Sequence, residues 1–291
     1  MRAVSFQMKH ALIAFVICFL VMFLLIPLLL IFSLAFAHGI ETFIQSITEA
    51  DGLKALFLTL RIAAIVVPLN LLFGLAAAWA VTKHQFRGKR ILVSLIDLPF
   101  SVPPVVVGVI YILIFGRNGW AWSLIEPGWH FSLPLIGNVI LRLPHIVFAQ
   151  PGIVLTTLFV TLPLIARELM PLMERQGLSD ELVAISLGAT GWNIFWRVTL
   201  PNIRWALLSG SLLCAARALG EFGAVSVVSG HIRGRTNTMP LHIEILYNDY
   251  AITAAFACAF VLALSALFTL LLKSFLQWRH SRYLTAARTT D

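Results

Sequence analysis

The sequence predicts an all-α polytopic membrane protein with six transmembrane helices. Two compositional facts and one pattern carry this reading. Hydrophobic residues make up 59% of the 291-residue chain and mean hydropathy is +0.92. Charged residues are only 12%, where a soluble domain carries about 25%. The apolar residues gather into stretches of about 20, enough to cross ~30 Å of hydrocarbon. Soluble-enzyme, disordered, collagen-like and coiled-coil classes are excluded at this point. The formal charge of +8 does not indicate a nucleic-acid partner. The bases sit just outside the apolar runs, as expected of a chain whose partner is the lipid bilayer.

The six stretches are Ala11–Ala37, Leu53–Val81, Ile91–Gly116, Gly152–Met173, Trp205–Val228 and Ala251–Leu276. Each is expected to be helical, because hydrocarbon offers no partner to an open backbone. Ala35-Phe36-Ala37 resembles a signal-peptide cleavage site. The apolar run before it is nearly twice as long as a signal core of about 7–15 residues, so it reads as an uncleaved first span. Lys and Arg concentrate on the side that receives Lys9, Lys83, Arg87, Lys89, Arg90, Arg175, Arg197, Arg204 and Arg279. That asymmetry predicts both termini in the cytoplasm. The chain divides into an N-terminal stub, first helix and external loop (1–52), a permease-like core (53–276) and a cytoplasmic tail (277–291). The long external connection 117–150 holds Trp120, Trp122 and Trp129, and its Leu133–Leu143 run, too short to cross, is expected to lie against the outer surface. Cys18, Cys214 and Cys258 sit in apolar stretches and form no disulfide or metal motif.

The third stretch contains Leu98-Pro99-Phe100-Ser101-Val102-Pro103-Pro104 near mid-membrane. Three prolines remove helix donors and force a bend or break. One reading is a discontinuous helix lining a solute path, with Pro99, Ser101, Pro103 and Pro104 on it; the other is a packing kink. Pro68 and Pro163 read as simple kinks. Ionisable residues in spans are costly and point to function. Arg167 and Glu168 fall roughly 24 Å along the fourth stretch, near its inner edge, where snorkelling accounts for them. Asp97 and Arg61 are each candidates for half of an interhelical ion pair. Arg217 and Glu221, spaced i,i+4, share a helix face in the order that stabilises a helix less well. They read as a gate or pathway lining, or as a neutralised structural pair.

Between the fourth and fifth stretches lies a polar segment too short to cross. Ser179 is the expected N-cap, Asp180 and Glu181 fill the first turn, and Gly188 ends the helix. A second short helix, Trp192–Val198, is expected to stop before Leu200-Pro201. Such a capped helix suits docking into a partner's groove; an amphipathic loop on the headgroups is the alternative. The chain has no G-x-x-x-x-G-K-[ST] loop, so an ATP-driven process would need a separate ATPase.

This segment resembles the cytoplasmic loop of inner-membrane permeases of binding-protein-dependent ABC importers. In that family Glu-Ala-Ala, three residues and Gly precede a hydrophobic-Leu-Pro element. Gly188 matches the Gly and Val198-Thr199-Leu200-Pro201 the closing element. Leu182, Val183 and Ala184 occupy the Glu-Ala-Ala positions, so Leu182 replaces the expected Glu and Glu181 stands one place early. The run Leu98–Gly108 and the run Ala216–Ala224 are similar to motifs of sulfate and molybdate permeases. The continuations Val225–Gly234 and Arg197–Leu208 are similar to the W-type subunits of sulfate/thiosulfate importers.

The resemblance implies a type I importer permease fold with a cytoplasmic coupling helix. It implies contact of Glu181, Leu182, Ala184, Gly188 and Ala189 with an ATPase, and a pathway or gate at Pro99, Ser101, Pro103, Pro104, Arg217 and Glu221. It also implies a bacterial inner-membrane location. The partners would be a pair of cytoplasmic ATPase subunits, a paralogous T-type permease and a periplasmic sulfate- or thiosulfate-binding protein. ATP and magnesium would sit on the ATPase, and this chain would bind no cofactor. A proton- or sodium-coupled secondary transporter would need inverted repeats and unpaired central titratable groups. A membrane enzyme would need a nucleophile–base or metal-ligand spacing that the scattered histidines do not supply.

Overall fold

The computed structural model describes the backbone of residues 2–122, 129–133, 137–141 and 145–288, and side chains within 8–122 and 145–278. The order is α1 (Arg2–Leu20), a π-turn (Val21–Leu25), α2 (Ile26–Ala35), α3 (Gly39–Thr48), α4 (Ala50–Lys83), α5 (Lys89–Ser101) and α6 (Pro104–Phe115). Two strands follow, β1 (Trp129–Leu133) and β2 (Gly137–Leu141). Then come α7 (Gln150–Gln176), α8 (Ser179–Ser186), α9 (Gly191–Ile194), a second π-turn (Phe195–Thr199), α10 (Leu200–Leu219), α11 (Gly223–Val228), α12 (Met239–Asn248) and α13 (Ile252–Arg288).

Among the described residues, four helices are long and apolar enough to cross a membrane: Met8–Ala35, Ala50–Lys83, Gln150–Gln176 and Ile252–Trp278. The third expected stretch is α5 followed by α6, bent by 106° at the break. The fifth becomes α10 and α11, interrupted between Leu219 and Gly223. α10 packs on α4, α7 and α13 at once. A helix so enclosed meets little lipid and can carry Ser209, Ser211 and Arg217, which explains why its own composition is less apolar. In the external connection β1 and β2 pair antiparallel, Trp129 opposite Leu141 and Leu133 opposite Gly137. Sequence reading expects that stretch at the outer surface; the side chains that would decide this lie outside the described residues.

Two apolar layers lie along α4, α7 and α10. One joins Leu58, Ile62, Val66, Ile153, Leu219, Val225 and Leu241. The other joins Ala78, Ile165, Leu169, Met173, Ile203 and Cys214. Between them the buried Asn70 of α4 donates to Thr161 Oγ1 of α7 at 2.6 Å and approaches Cys214 Sγ of α10 at 3.5 Å. Lipid tails are as apolar as the side chains they would replace, so tight packing and such interhelical hydrogen bonds hold these helices together. The first span stands at the edge, its apolar window unburied, and is pinned where Phe32, Phe36 and Phe43 surround Phe260 of α13. The helix of α7 continues through Pro163 and that of α4 through Pro68.

Beyond the spans, α12 is fixed by Thr59 of α4, whose hydroxyl accepts from Met239 N at 2.8 Å. His242 of α12 is buried beside Asn237, and burial lowers its pKa below the usual 6.5. The folded state therefore resists protonating His242, while the unfolded chain does not. Stability should fall as pH drops below about 6.5 and stop falling once the folded imidazole titrates. Thermal unfolding of the detergent-solubilised chain between pH 7.5 and 5 would show it, and His242→Asn should flatten that dependence. An identical slope in the variant would assign the effect to other groups.

Candidate functional site

Two regions gather the residues singled out by sequence. The first is the junction of the two broken helices. Pro99 lies buried within α5, Ser101 ends that helix, Pro103 is exposed and the half-buried Pro104 opens α6. A proline in the first helical turn removes no needed donor, so the chain restarts as helix directly after the bend. α6 then packs along α11. A Cβ on Gly108 would stand 2.7 Å from Ala224 O and 2.8 Å from Val227 Cβ, so only glycine permits this approach. Val107, Val160 and Ala224 fill the seam beneath. The Leu98–Gly108 and Ala216–Ala224 runs, over a hundred residues apart, are thus one structural unit.

Arg217 and Glu221 meet there, but not on one helix face. α10 ends at Leu219, and Glu221 stands in the break. Its Oε1 accepts from Ala224 N at 3.1 Å, capping α11. Its Oε2 lies 2.9 Å from Arg217 Nη1. The approach is ionic rather than an aligned hydrogen bond, since among the described residues Oε2 accepts none. The Glu221 side chain is 1% exposed and that of Arg217 42%. Arg before Glu is the weaker order inside one helix. Across a break it is the favourable one: the cation sits in the last turn of α10 and the carboxylate at the start of α11.

Asp97 and Arg167 form the interhelical pair that sequence allowed for Asp97. Arg167 Nε donates to Asp97 Oδ1 at 2.7 Å, with the guanidinium 4.5 Å from the Phe100 ring. Arg167 thus ties α7 to α5 just before the bend. Glu168 accepts from Ser209 at 2.7 Å, with Lys273 Nζ 3.9 Å away. Arg61 borders an apolar groove with Gln150 and has no ion pair among the described residues.

The second region is α8. Leu178, not Ser179, occupies its cap position and makes no side-chain cap bond. The first-turn acids are engaged elsewhere. Asp180 accepts from Asn202 Nδ2 at 3.1 Å. Glu181 accepts from Thr199 Oγ1 at 2.9 Å and pairs with Lys83 at 3.0 Å, the two charged side chains 13% and 7% exposed. Lys83 Nζ also donates to Gly177 O at 2.6 Å. Glu181 is thus turned towards its own chain, fixing α8 to the end of α4 and to the turn before α10. Ala184 and Ala189 are half-buried. Leu182, Val183, Ile185 and Leu187 are exposed, Leu187 at 83%. Gly188 closes the helix at φ +82°, a conformation that side-chain-bearing residues rarely adopt.

The chain does not stop before Leu200-Pro201 as expected. After α9 the π-turn Phe195–Thr199 runs directly into α10, Leu200 N bonding to Phe195 O. Widening the turn to five residues accommodates Pro201, which falls in the first turn of α10 and needs no donor. Phe195 stacks on Trp79 at 5.0 Å, holding this corner to α4.

Nearly buried ion pairs lose more when halved than when removed whole. Lys83→Met alone is expected to cost about 3 kcal/mol and the Lys83→Met/Glu181→Leu double variant distinctly less. Thermal unfolding of wild type, Lys83→Met, Glu181→Leu and the double variant measures this. Additive losses would mean that the two side chains do not act as a pair.

Residues 70–282 match the family of binding-protein-dependent transport system inner membrane components. The sulfate transport system permease protein CysW of Synechocystis sp. is 47% identical over 275 residues, 94% of this chain and 95% of that one. The CysW of Escherichia coli is 49% identical over 249 residues, 86% and 81% of the two chains. A probable sulfate transport system permease protein cysT of Chlorella vulgaris is 32% identical over 239 residues, 82% and 85% of the two. Among solved structures, a bacterial ABC transporter that imports alginate superposes with a TM-score of 0.73 at 15% identity, covering 95% of this chain and 96% of that one. A complex of an alginate transporter with its pentasaccharide-bound periplasmic protein gives 0.75 at 16%, covering 94% of each chain. That likeness speaks to the fold.

Proposed function

This chain belongs to the inner membrane component family of binding-protein-dependent transport systems, and on that premise we propose that it is the membrane-spanning permease subunit of an ATP-driven importer of sulfate and thiosulfate. As a multi-pass transport subunit it performs no covalent chemistry itself. The relatives named for sulfate transport support the substrate. One observation carries the mechanism: α8 is clamped to the bundle on one side by Lys83, Glu181 and Thr199, and leaves an apolar face uncovered on the other. A small rigid element with that polarity suits transmission of force from a partner.

The partner is a pair of cytoplasmic ATPase subunits, which would hold ATP and magnesium. Leu182, Val183, Ile185 and Leu187 form the contact, with Gly188 and Ala189 at its end, while Glu181 anchors the lever from behind. Both termini and α8 face the cytoplasm. A paralogous T-type permease completes the pathway, and a periplasmic binding protein delivers the anion. Within the core assigned to 53–276, the broken pairs α5–α6 and α10–α11 form the gate, with Ser101 and Pro103 exposed at the bend and Arg217 against Glu221 beside it. The buried pairing of Glu221 leaves Arg217 partly neutralised, so anion selectivity rests mainly with the binding protein.

Uptake of radiolabelled sulfate in a host deleted for its own sulfate permeases tests this. Uptake should depend on this chain, stop when ATP is depleted, persist with an uncoupler while ATP is maintained, and be competed by thiosulfate. Uptake that survives ATP loss but collapses with the uncoupler would favour an ion-coupled carrier and overturn the proposal.

A further inference from the structure

A groove of about 660 Å³ opens between α7, α10 and α13 at the end of the bundle that carries α8. Four charged side chains line it: Arg167, Glu168, Arg175 and Arg204. Two are already matched. Arg167 is paired with Asp97, and Glu168 holds the Ser209 hydroxyl with Lys273 near by. Arg175 and Arg204 remain exposed, with no ion-pair partner among the described residues. The guanidinium of Arg204 lies 5.5 Å from the Trp205 ring. Leu172, one helical turn before Arg175, and Leu276 of α13 add apolar lining beside these cations.

We propose that this groove holds an anionic phospholipid, its phosphate against Arg175 and Arg204 and an acyl chain along Leu172 and Leu276. Basic pockets between membrane helices on the cytoplasmic side are suited to anionic headgroups. Guanidinium matches phosphate oxygens with two parallel donors. Trp205 is the residue type favoured at the interface between headgroup and hydrocarbon. A free dianion would use the two arginines but leave the apolar wall uncovered; a lipid uses both. The bound lipid would join α7, which leads through Gly177 into α8, to α10 and α13. Placing it in the inner leaflet rests on the orientation proposed above; the binding itself does not.

The full chain, purified in mild detergent, is titrated with phosphatidylglycerol and followed by native mass spectrometry and thermal unfolding. Wild type should retain phosphatidylglycerol and gain stability, and phosphatidylcholine should do neither. At about 1 kcal/mol per basic residue, Arg175→Gln/Arg204→Gln should weaken phosphatidylglycerol binding about 30-fold. Arg87→Gln/Arg90→Gln, which removes the same charge from the turn after α4 and the start of α5, should bind as wild type. Equal weakening in both variants would show attraction by net charge and overturn the site. Stabilisation by millimolar inorganic phosphate in place of the lipid would assign the arginines to a soluble anion and overturn it too. So would unchanged binding in Arg175→Gln/Arg204→Gln.

Discussion

Glu221→Ala is expected to lower sulfate uptake at least tenfold while the chain still inserts. The substitution removes the acceptor for Ala224 N, leaving a buried donor at the start of α11, which costs about 1–3 kcal/mol. It also frees Arg217, whose partner is then gone. Both effects fall on the break between α10 and α11, where a Cβ on Gly223 would stand 3.0 Å from Cβ of Pro104 at the bend between α5 and α6. Glu221→Gln separates them, since its amide oxygen can still cap α11 but the charge is lost. If the ion pair matters, Gln fails nearly as badly as Ala, and Arg217→Ala impairs uptake more than membrane insertion. Normal uptake by Glu221→Gln would leave only the cap, and normal uptake by Arg217→Ala would remove the arginine from the gate. Membrane abundance by immunoblot, read beside uptake, keeps folding and function apart.

Gly188→Asp is expected to abolish recovery of the ATPase with the affinity-tagged permease, and with it uptake. No atom lies within 4 Å of the Cβ that would be added, so the damage would not come from a clash within the chain. It would come from forcing an L side chain into φ +82° and from placing a charge beside the apolar face of α8. The strain alone is worth about 1 kcal/mol, too little to unfold the bundle. Gly188→Asn, which tolerates this conformation better and adds no charge, should keep more of the partner. Leu187→Asp leaves the backbone unstrained and should fail as completely as Gly188→Asp. Full ATPase recovery and normal uptake in both aspartate variants would place the contact elsewhere.

How far the chain could be read in advance follows from what each feature depends on. The apolar runs of α4, α7 and α13 were legible because crossing hydrocarbon imposes length and composition together. The proline run announced a break, but its 106° angle depends on the seam between α6 and α11, where Gly108 meets Ala224. That contact joins segments more than a hundred residues apart and leaves no local periodicity. Arg217 and Glu221 were found by spacing, yet the spacing implied one helix and the chain supplies two. Glu181 shows the same limit. Its place in the first turn suggested a charge suited to the helix start and a partner contact, but Lys83, about a hundred positions earlier, claims it. Nothing near Lys83 in sequence marks it as an anchor. The missed signal was a cation in the last turn of a span opposite an acidic short helix, a pairing visible only once the topology is known.

The length of α4 has a mechanical consequence. Its 34 residues run without interruption for about 50 Å. One tip is bolted to α8 through Lys83, Thr59 secures the opposite half to α12, and Asn70 holds the waist against α7. A rod pinned at its waist is a seesaw: a push on the tip at α8 swings the far tip the opposite way. Spin labels at positions 54 and 84 should therefore keep their mutual distance through a transport cycle, while their distances to α13 change in opposite directions.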